Sequence, residues 1–192
     1  MKLIKKLLRY ALDIFMIAEK YNFLLEIIKE NNFKNYVEVG VWKGKTLFGI
    51  ADGNKHLRIW GIDEYKSENY NNYTHGEIMA NISNETYDKI KQDILNRSST
   101  FKNITIITEN SLTATKRFSN NSLDIVFIDA SHDYKNTCND IRAWLPKVRK
   151  GGILCGHDFN LRHFSVVRAV GDLIGYDNIM VKKHVSTWLY RK

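Results

Sequence analysis

Short apolar runs alternate with helical patterns along most of this chain. The runs are rich in β-branched residues and occupy 36–39, 58–62, 104–107, 125–128 and 152–155. Between the later runs, apolar side chains recur every three or four residues, as in Tyr134, Cys138, Ile141 and Leu145, and so share one helix face. A repeated order of strand, helix and strand predicts a parallel sheet with helices on both faces.

The end of the chain departs from this alternation. Residues 179–181 and 187–190 are two strand patterns separated by too few residues for a crossover helix. We therefore expect them to pair antiparallel. The predicted fold class is α/β, a doubly wound and mostly parallel seven-stranded sheet with a C-terminal antiparallel strand pair.

Length and patterning predict one domain with two additions. The 192 residues, of which 44% are hydrophobic, suffice for a single large core. Residues 1–32 are predicted to form N-terminal helices that pack on or cap a domain spanning 33–192. Residues 64–100 interrupt the alternation, first polar and Tyr-rich and then helical, which is typical of a lid or substrate-binding insertion. Its Tyr70, Tyr73 and His75 could stack on a ring of the substrate.

The net charge indicates possible binding partners, and the cysteines indicate the cellular compartment. The net charge of +8 would suit nucleic acid or an anionic membrane surface, but it also follows from lysines scattered along the chain. Cys138 and Cys155 fall in a predicted helix and strand without a CxxC pattern, which indicates a reduced, cytoplasmic protein. No apolar run approaches the roughly 20 residues that span a bilayer, so we predict no transmembrane segment. The N-terminal helices offer an apolar face through which two copies could dimerise.

A glycine-containing turn follows the first strand. In YVEVGVWKGKT, residues 36–46, Gly40 and Gly44 allow a tight turn and close approach of a ligand at a helix start. A nicotinamide enzyme is disfavoured because Trp42 stands at the second glycine of the GxGxxG fingerprint. Asp63 ends the second strand 19 residues after Gly44, where a carboxylate can accept hydrogen bonds from both ribose hydroxyls. Together these features indicate a nucleoside ligand.

Two acidic residues end neighbouring strands. In VFIDASHDY, residues 126–134, the apolar strand stops at Asp129, and Asp158 follows the next strand. Adjacent strands lie about 5 Å apart, so the two carboxylates would repel each other unless a cation lay between them. With Asn160 they supply hard oxygen donors suited to Mg²⁺ or Mn²⁺. His157 could ligate a metal, support a ligand or cap the turn.

A histidine lies close to the first of these acids. His132 is three residues past Asp129, near enough to accept a proton from a hydroxyl bound there, so we interpret it as a general base. Asp133 is predicted to cap the helix that follows.

With these residues in place, the chain resembles the class I S-adenosylmethionine-dependent methyltransferases, which have a Rossmann-like fold. Residues 37–46, VEVGVWKGKT, look like their first motif, apart from Trp42. The stretches from Leu123 to Tyr134 and from Arg149 to Phe159 look like the metal-dependent O-methyltransferase branch, which includes catechol-type and sugar or macrolide enzymes. The resemblance covers residues 33–192.

The resemblance implies a cofactor, a metal and residue roles. S-adenosylmethionine would bind at Glu38, Gly40, Val41, Gly44, Thr46, Asp63, Asn110, Ser111 and Asp129, with Asn110 and Ser111 at the adenine. A divalent metal, Mg²⁺ or Mn²⁺, would be held by Asp129, Asp158 and His157. The catalytic residues would be His132 and Asp129, acting on a hydroxyl of a small molecule.

Three alternatives remain for the substrate and the activity. We favour a sugar or other polyhydroxylated acceptor over a phenol. A nucleic-acid methyltransferase agrees with the charge, but base methylation typically uses an Asp/Asn-Pro-Pro-aromatic turn, and here the position reads Asp129, Ala130, Ser131, His132. A ribose hydroxyl of a nucleic acid therefore stays open as an acceptor, whereas a base amino group is disfavoured. A non-catalytic nucleoside-binding module would not need a base beside two acids.

Overall fold

The structure is a computed structural model that describes residues 19–66 and 82–192. Residues 19–30 are helical and are called α1. The other helices are α2 Lys45–Gly53, α3 Asn84–Ser98, α4 Ser111–Ala114, α5 Tyr134–Trp144 and α6 Phe164–Ile174. The strands are β1 Asn35–Val39, β2 Arg58–Ile62, β3 Ile104–Ile107, β4 Leu123–Ile128, β5 Val148–Gly156, β6 Ile179–Lys182 and β7 Thr187–Arg191.

The seven strands form one sheet in the order β3-β2-β1-β4-β5-β7-β6. Strands β1 to β5 are parallel, whereas β7 runs antiparallel to both β5 and β6. This confirms the predicted α/β class, the Rossmann-like doubly wound arrangement and the antiparallel C-terminal pair. The turn between β6 and β7 is a single 3-10 turn, Lys183–Val185.

Helices cover both faces of the sheet because the central strands are apolar on both sides. In β4, Ile125 and Phe127 face a core shared with α1, α2 and α3, while Val126 and Ile128 face a core shared with α4, α5 and α6. All four side chains are at most 6% exposed. Burying each contributes roughly 1.5–3 kcal/mol, which makes this strand the centre of the domain.

Helix α1 shares a core with the sheet. Its Leu24, Ile27 and Ile28 are buried against α2 and the strands. Residues 1–18, which include the first predicted helix, lie outside the described residues, and the boundary after residue 32 stays a prediction.

The predicted insertion at 64–100 contains helix α3. The helix starts at the Ser83 cap, whose hydroxyl accepts a hydrogen bond from the Thr86 amide, and it buries Tyr87, Ile90 and Ile94 in the core. Residues 67–81, with Tyr70, Tyr73 and His75, lie outside the described residues. A lid or substrate-binding role for the insertion stays a prediction.

The fold also shows whether the cysteines are paired and whether a described helix could span a membrane. Cys138 and Cys155 are both buried and form no disulfide. Within residues 19–66 and 82–192, no helix combines the length and apolarity needed to cross a bilayer.

Candidate active site

A cleft lies at the carboxyl ends of β1 and β4, the two central strands. From this point the chain winds outwards through β2 and β3 on one side and through β5 on the other. Open α/β sheets bind ligands at such a reversal of strand order. The residues lining the cleft include five of the predicted cofactor ligands: Gly40, Asp63, Asn110, Ser111 and Asp129.

Gly40 allows β1 to end against the start of the loop that carries Asp129. Its φ is +90°, and a Cβ at this position would lie 2.1 Å from the Asp129 carbonyl oxygen. The strand ends are tied together because the Gly40 amide donates to Ile62 (2.9 Å) and the Asp129 amide donates to Val39 (2.7 Å). Only glycine fits this close approach.

Asp63 is held at the cleft by backbone amides. One carboxylate oxygen accepts from the Trp42 amide at 2.8 Å and the other from the Tyr65 amide at 2.9 Å. Burial raises the pKa of Asp63, and these amides partly oppose that shift. Because each carboxylate oxygen has more than one lone pair, the residue can still accept from two ribose hydroxyls.

The opposite end of the cleft contains a hydrogen-bonded chain. Asn110 caps α4 by accepting from the Leu112 amide at 3.0 Å. The Ser111 hydroxyl donates to Asp140 at 2.5 Å and accepts from the Trp144 indole at 2.8 Å. Burial raises the pKa of Asp140 to about 6. Asp140 was not predicted from the sequence, although an acid next to Ile141 on the apolar side of α5 is a sign of a buried polar contact.

Four predicted cofactor residues do not line the cleft in the described part of the chain: Glu38, Val41, Gly44 and Thr46. Glu38 is 1% exposed and accepts a hydrogen bond from the Tyr36 hydroxyl at 2.8 Å. Burial raises the pKa of Glu38 to about 8. Val41 and Thr46 are buried, and Gly44 precedes α2 with a φ of +69°.

The two predicted metal-site acids lie within a cluster of three histidines. His132 Nε2 is 2.7 Å from Asp158 Oδ2, and His157 Nδ1 is 3.2 Å from the same oxygen and 3.5 Å from Asp129 Oδ1. His163 Nε2 is 3.5 Å from Asp158 Oδ1. The structure thus brings together the predicted residues Asp129, His132, His157 and Asp158, and adds His163, which the sequence analysis missed.

The cluster favours charged side chains. Burial by itself would raise the pKa of Asp158, but His132 and His157 hold it below its usual range. Burial would likewise lower the pKa of both imidazoles, but Asp158 raises that of His132, and Asp129 raises that of His157 to about 9. Asp133 caps α5 as predicted, accepting from the Asn136 amide at 2.9 Å.

Lys20 is a further member of the site, contributed by α1. Its Nζ is 2.6 Å from Asp129 Oδ2, and the residue is only 7% exposed. Burial lowers the pKa of Lys20, but the charge and hydrogen bond of Asp129 outweigh it and raise the pKa above its ordinary value. Its burial could have been predicted from the sequence, because Lys20 lies four residues before Leu24 and eight before Ile28 and so shares the apolar face of α1.

Asp129, His157 and Asp158 could hold a divalent cation. Their donor atoms lie within 4.8 Å of one another. Mixed carboxylate and imidazole donors suit Mn²⁺ better than Mg²⁺, which prefers oxygen. Lys20 already pairs with one oxygen of Asp129. The side-chain oxygen of Asn160, also expected here, accepts instead from the amides of the next turn, at 3.0 and 3.3 Å.

One curated relative and many solved structures are similar to this chain. An uncharacterized protein of Acanthamoeba polyphaga mimivirus is 26% identical over 156 residues, which cover 76% of this chain. The aligned part spans only 61% of that protein.

The structural neighbours include several O-methyltransferases. NovP has a TM-score of 0.65 at 16% identity, covering 92% of this chain and 79% of its own. The TDP-rhamnose 3'-O-methyltransferase of calicheamicin biosynthesis has a TM-score of 0.61 at 15% identity, and the similarity covers 88% of this chain and 77% of that enzyme. A Bacillus cereus O-methyltransferase in complex with SAH has a TM-score of 0.59 at 15% identity, covering 91% and 81%. At these identities the similarity shows the fold.

The family is shown by a match over most of the domain. Residues 37–159 match the family described as a methyltransferase domain. This range contains most of β1, all of β2 to β5 and every described residue that lines the cleft. The match confirms the resemblance to class I S-adenosylmethionine-dependent methyltransferases, and the chain belongs to the methyltransferase domain family.

Proposed function

We propose that this protein is an S-adenosylmethionine-dependent O-methyltransferase acting on a hydroxyl of a small molecule. The observation that carries the proposal is the 2.7 Å hydrogen bond between His132 and Asp158. This bond would orient a potential base in the side-chain cluster that also contains Asp129, which lines the cleft. A cleft suited to a nucleoside and an imidazole oriented by a carboxylate would supply the cofactor site and the general base for methylation of a hydroxyl.

The cleft has groups suited to the cofactor. Asp63 would accept from the ribose hydroxyls, while Asn110 and Ser111 would face the adenine. The turn after Gly40 would face the methionine end, and Glu38, Val41, Gly44 and Thr46 would support that turn. When bound, S-adenosylmethionine supplies an electrophilic methyl group on a sulfonium centre.

His132 is the proposed base. If the neutral imidazole keeps its proton on Nε2 and donates it to Asp158, Nδ1 is the unprotonated nitrogen that accepts the proton of the acceptor hydroxyl. Asp158 then fixes the tautomer and stabilises the imidazolium that forms, as a carboxylate does for histidine in other base-assisted reactions. Removing this proton makes the acceptor oxygen nucleophilic.

Metal assistance is part of the proposal. Asp129, His157 and Asp158 would hold Mn²⁺ or Mg²⁺, which lowers the pKa of a bound hydroxyl when present. Asp129 would also orient the acceptor next to His132. The Lys20 ammonium contributes positive charge at the same carboxylate.

The proposed acceptor is a sugar or another polyhydroxylated molecule rather than a phenol. The described rim of the cleft offers many hydrogen-bonding side chains, including Glu109, Ser131, Asn136 and Asn139. One of the similar structures is a sugar 3'-O-methyltransferase. A homodimer and a cytoplasmic location stay predictions of the sequence.

RNA is the second candidate acceptor, and only the net charge of +8 favours it. A nucleoside-binding module without activity would leave the His132–Asp158 pair without a role.

Calorimetry and a methyl-transfer screen test the proposal. We expect the full chain to bind S-adenosylmethionine, and to methylate an acceptor in a screen of sugars, nucleotide sugars, catechols and RNA. Parallel reactions with Mn²⁺, Mg²⁺ or EDTA test the metal. Absence of cofactor binding would contradict the enzyme, transfer only to RNA would contradict the acceptor class, and full activity in EDTA would contradict only the metal.

A further inference from the structure

A second set of potential metal ligands lies on the other side of Asp158. It consists of His132 Nε2, His163 Nε2 and a carboxylate oxygen of Asp158, all within 4.8 Å of one another. The first predicted set uses Asp129 and His157 instead. Only Asp158 belongs to both sets, so different substitutions can separate them.

The backbone holds these side chains in place. Asp158 has a φ of +57°, a left-handed conformation that few residues other than glycine, asparagine and aspartate adopt. In this conformation Oδ2 faces His132 at 2.7 Å and Oδ1 faces His163 at 3.5 Å. The side chain of Asn160 accepts from the His163 amide at 3.3 Å and so fixes the turn that carries this ligand.

The spacing of the two imidazoles also suits a shared ion. The rings of His132 and His163 lie with their centroids 4.4 Å apart. Donor atoms about 2.1 Å from one tetrahedral ion are roughly 3.4 Å from each other. The His163–Asp158 contact of 3.5 Å is close to this spacing, whereas the His132–Asp158 contact of 2.7 Å would have to lengthen. The His132 side chain is 45% exposed, which leaves a route for water or an exogenous ligand.

We propose that His132, Asp158 and His163 form a transition-metal site of their own, selective for ions such as Zn²⁺ or Co²⁺ over Mg²⁺. Two imidazoles and one carboxylate are the donors that borderline divalent ions accept in proteins, whereas Mg²⁺ prefers a shell of oxygens.

Occupation of this site would inhibit methyl transfer. An ion bound to the lone pair of His132 Nε2 leaves the single proton of the neutral imidazole on Nδ1, so Nδ1 has no free lone pair with which to accept the proton of the acceptor hydroxyl. This consequence, unlike the binding itself, rests on the proposed function.

Zn²⁺ calorimetry on EDTA-treated, desalted protein tests the site without cofactor or acceptor. Visible spectra with Co²⁺ report whether imidazoles enter the coordination shell. The variants are His163→Gln, which removes a ligand of this set only, and Asp129→Asn, which removes a ligand of the other set only. His56→Gln is the matched control, because His56 is exposed and lies outside both sets.

We expect one Zn²⁺ per wild-type chain, affinity at least about tenfold weaker in His163→Gln, and affinity within about twofold of wild type in the other two variants. Circular dichroism establishes that each variant is folded. His163→Asp offers a carboxylate in place of the imidazole, so it should bind Zn²⁺ more tightly than His163→Gln if His163 is a ligand. Absence of Zn²⁺ binding, wild-type affinity in His163→Gln, or an equal loss in Asp129→Asn would overturn the site. None of these results bears on cofactor binding, which tests the proposed function separately.

Discussion

Lys20 Nζ and Asp129 Oδ2 are joined at 2.6 Å, although 109 residues separate them in the chain. The pair attaches α1 to the end of β4 at the edge of the cleft. Removing one member of a buried ion pair leaves an uncompensated charge, which costs more than the intact pair contributes. Helix α1 is thereby coupled to the proposed catalytic carboxylate.

Substituting Lys20→Met should lower the free energy of unfolding by about 2–4 kcal/mol, because the half-buried Asp129 carboxylate is left with only His157 to compensate its charge. Urea denaturation measures the effect. Lys29→Met, at an exposed position on the same helix, is the matched control and should change stability by less than about 0.5 kcal/mol. The double variant Lys20→Met/Asp129→Asn should recover part of the lost stability. Equal unfolding free energies for Lys20→Met and Lys29→Met would contradict a stabilising role for the Lys20–Asp129 pair.

Lys20→Met should also strengthen binding of Mn²⁺ at Asp129, His157 and Asp158. The ammonium and the metal compete for the same carboxylate, and a divalent ion is repelled by a fixed positive charge nearby. We expect an affinity gain of about tenfold or more, measured from the electron paramagnetic resonance signal of free Mn²⁺. Lys29→Met should bind like wild type. A weaker affinity in Lys20→Met would show that the lysine organises the ligands instead of competing with the metal.

His132→Gln should reduce kcat for methyl transfer by about 10²–10⁴-fold, the usual contribution of a general base. Glutamine can still donate to Asp158, so the turn should be preserved, and calorimetry should show unchanged affinity for S-adenosylmethionine. His56→Gln should retain full activity. If His132→Gln lost cofactor affinity in proportion to kcat, the histidine would be structural and not a base.

Asp63→Asn should weaken cofactor binding by about 10–100-fold, since hydrogen bonds to a charged group are worth about 1.5–3 kcal/mol. The amide nitrogen of asparagine would also face either the Trp42 or the Tyr65 amide, both of which need an acceptor. Calorimetry with S-adenosylmethionine measures the loss, and Asp52→Asn, at an exposed position, provides the control. Unchanged affinity would place the ribose elsewhere.

The strands and the central acids could be predicted because their signals are local. The apolar run of β4 and the acid that ends it are adjacent in sequence, and parallel strands bring their carboxyl ends to one edge. Asp129 and Asp158 therefore meet as expected. The strand limits were less accurate: β5 begins at Val148, four residues before the predicted start, because Val148 pairs with Leu123 across an irregularity in the ladder.

Three residues join the site through contacts whose partners no local pattern specifies: Lys20, Asp140 and His163. Lys20 depends on how α1 packs across the sheet, and Asp140 on which turn of α5 faces Ser111. His163 depends on the left-handed conformation of Asp158, which redirects the chain after β5. Each of these is a tertiary relationship between elements whose existence, but not relative position, could be read from the sequence.

Glu38→Gln should alter how stability depends on pH. The pKa of Glu38 is about 8 in the folded protein because of burial, against an ordinary value of 4.5. Between these two values the unfolded chain has released the proton while the folded protein retains it. The free energy of unfolding therefore falls as pH rises from about 4.5 to about 8, by a few kcal/mol at about 1.4 kcal/mol per pKa unit.

Glutamine is neutral at every pH, and its side-chain oxygen can still accept the Tyr36 hydrogen bond. Glu38→Gln should therefore flatten this part of the stability profile. In urea denaturation, the unfolding free energy of the variant minus that of wild type should be more positive at pH 8 than at pH 5. Glu26→Gln, at an exposed position on α1, should leave the profile unchanged. Lys20 and Asp129 also act on Glu38, the first lowering its pKa and the second raising it. Parallel profiles for Glu38→Gln and wild type would mean that Glu38 is already ionised at pH 5, held so by Lys20.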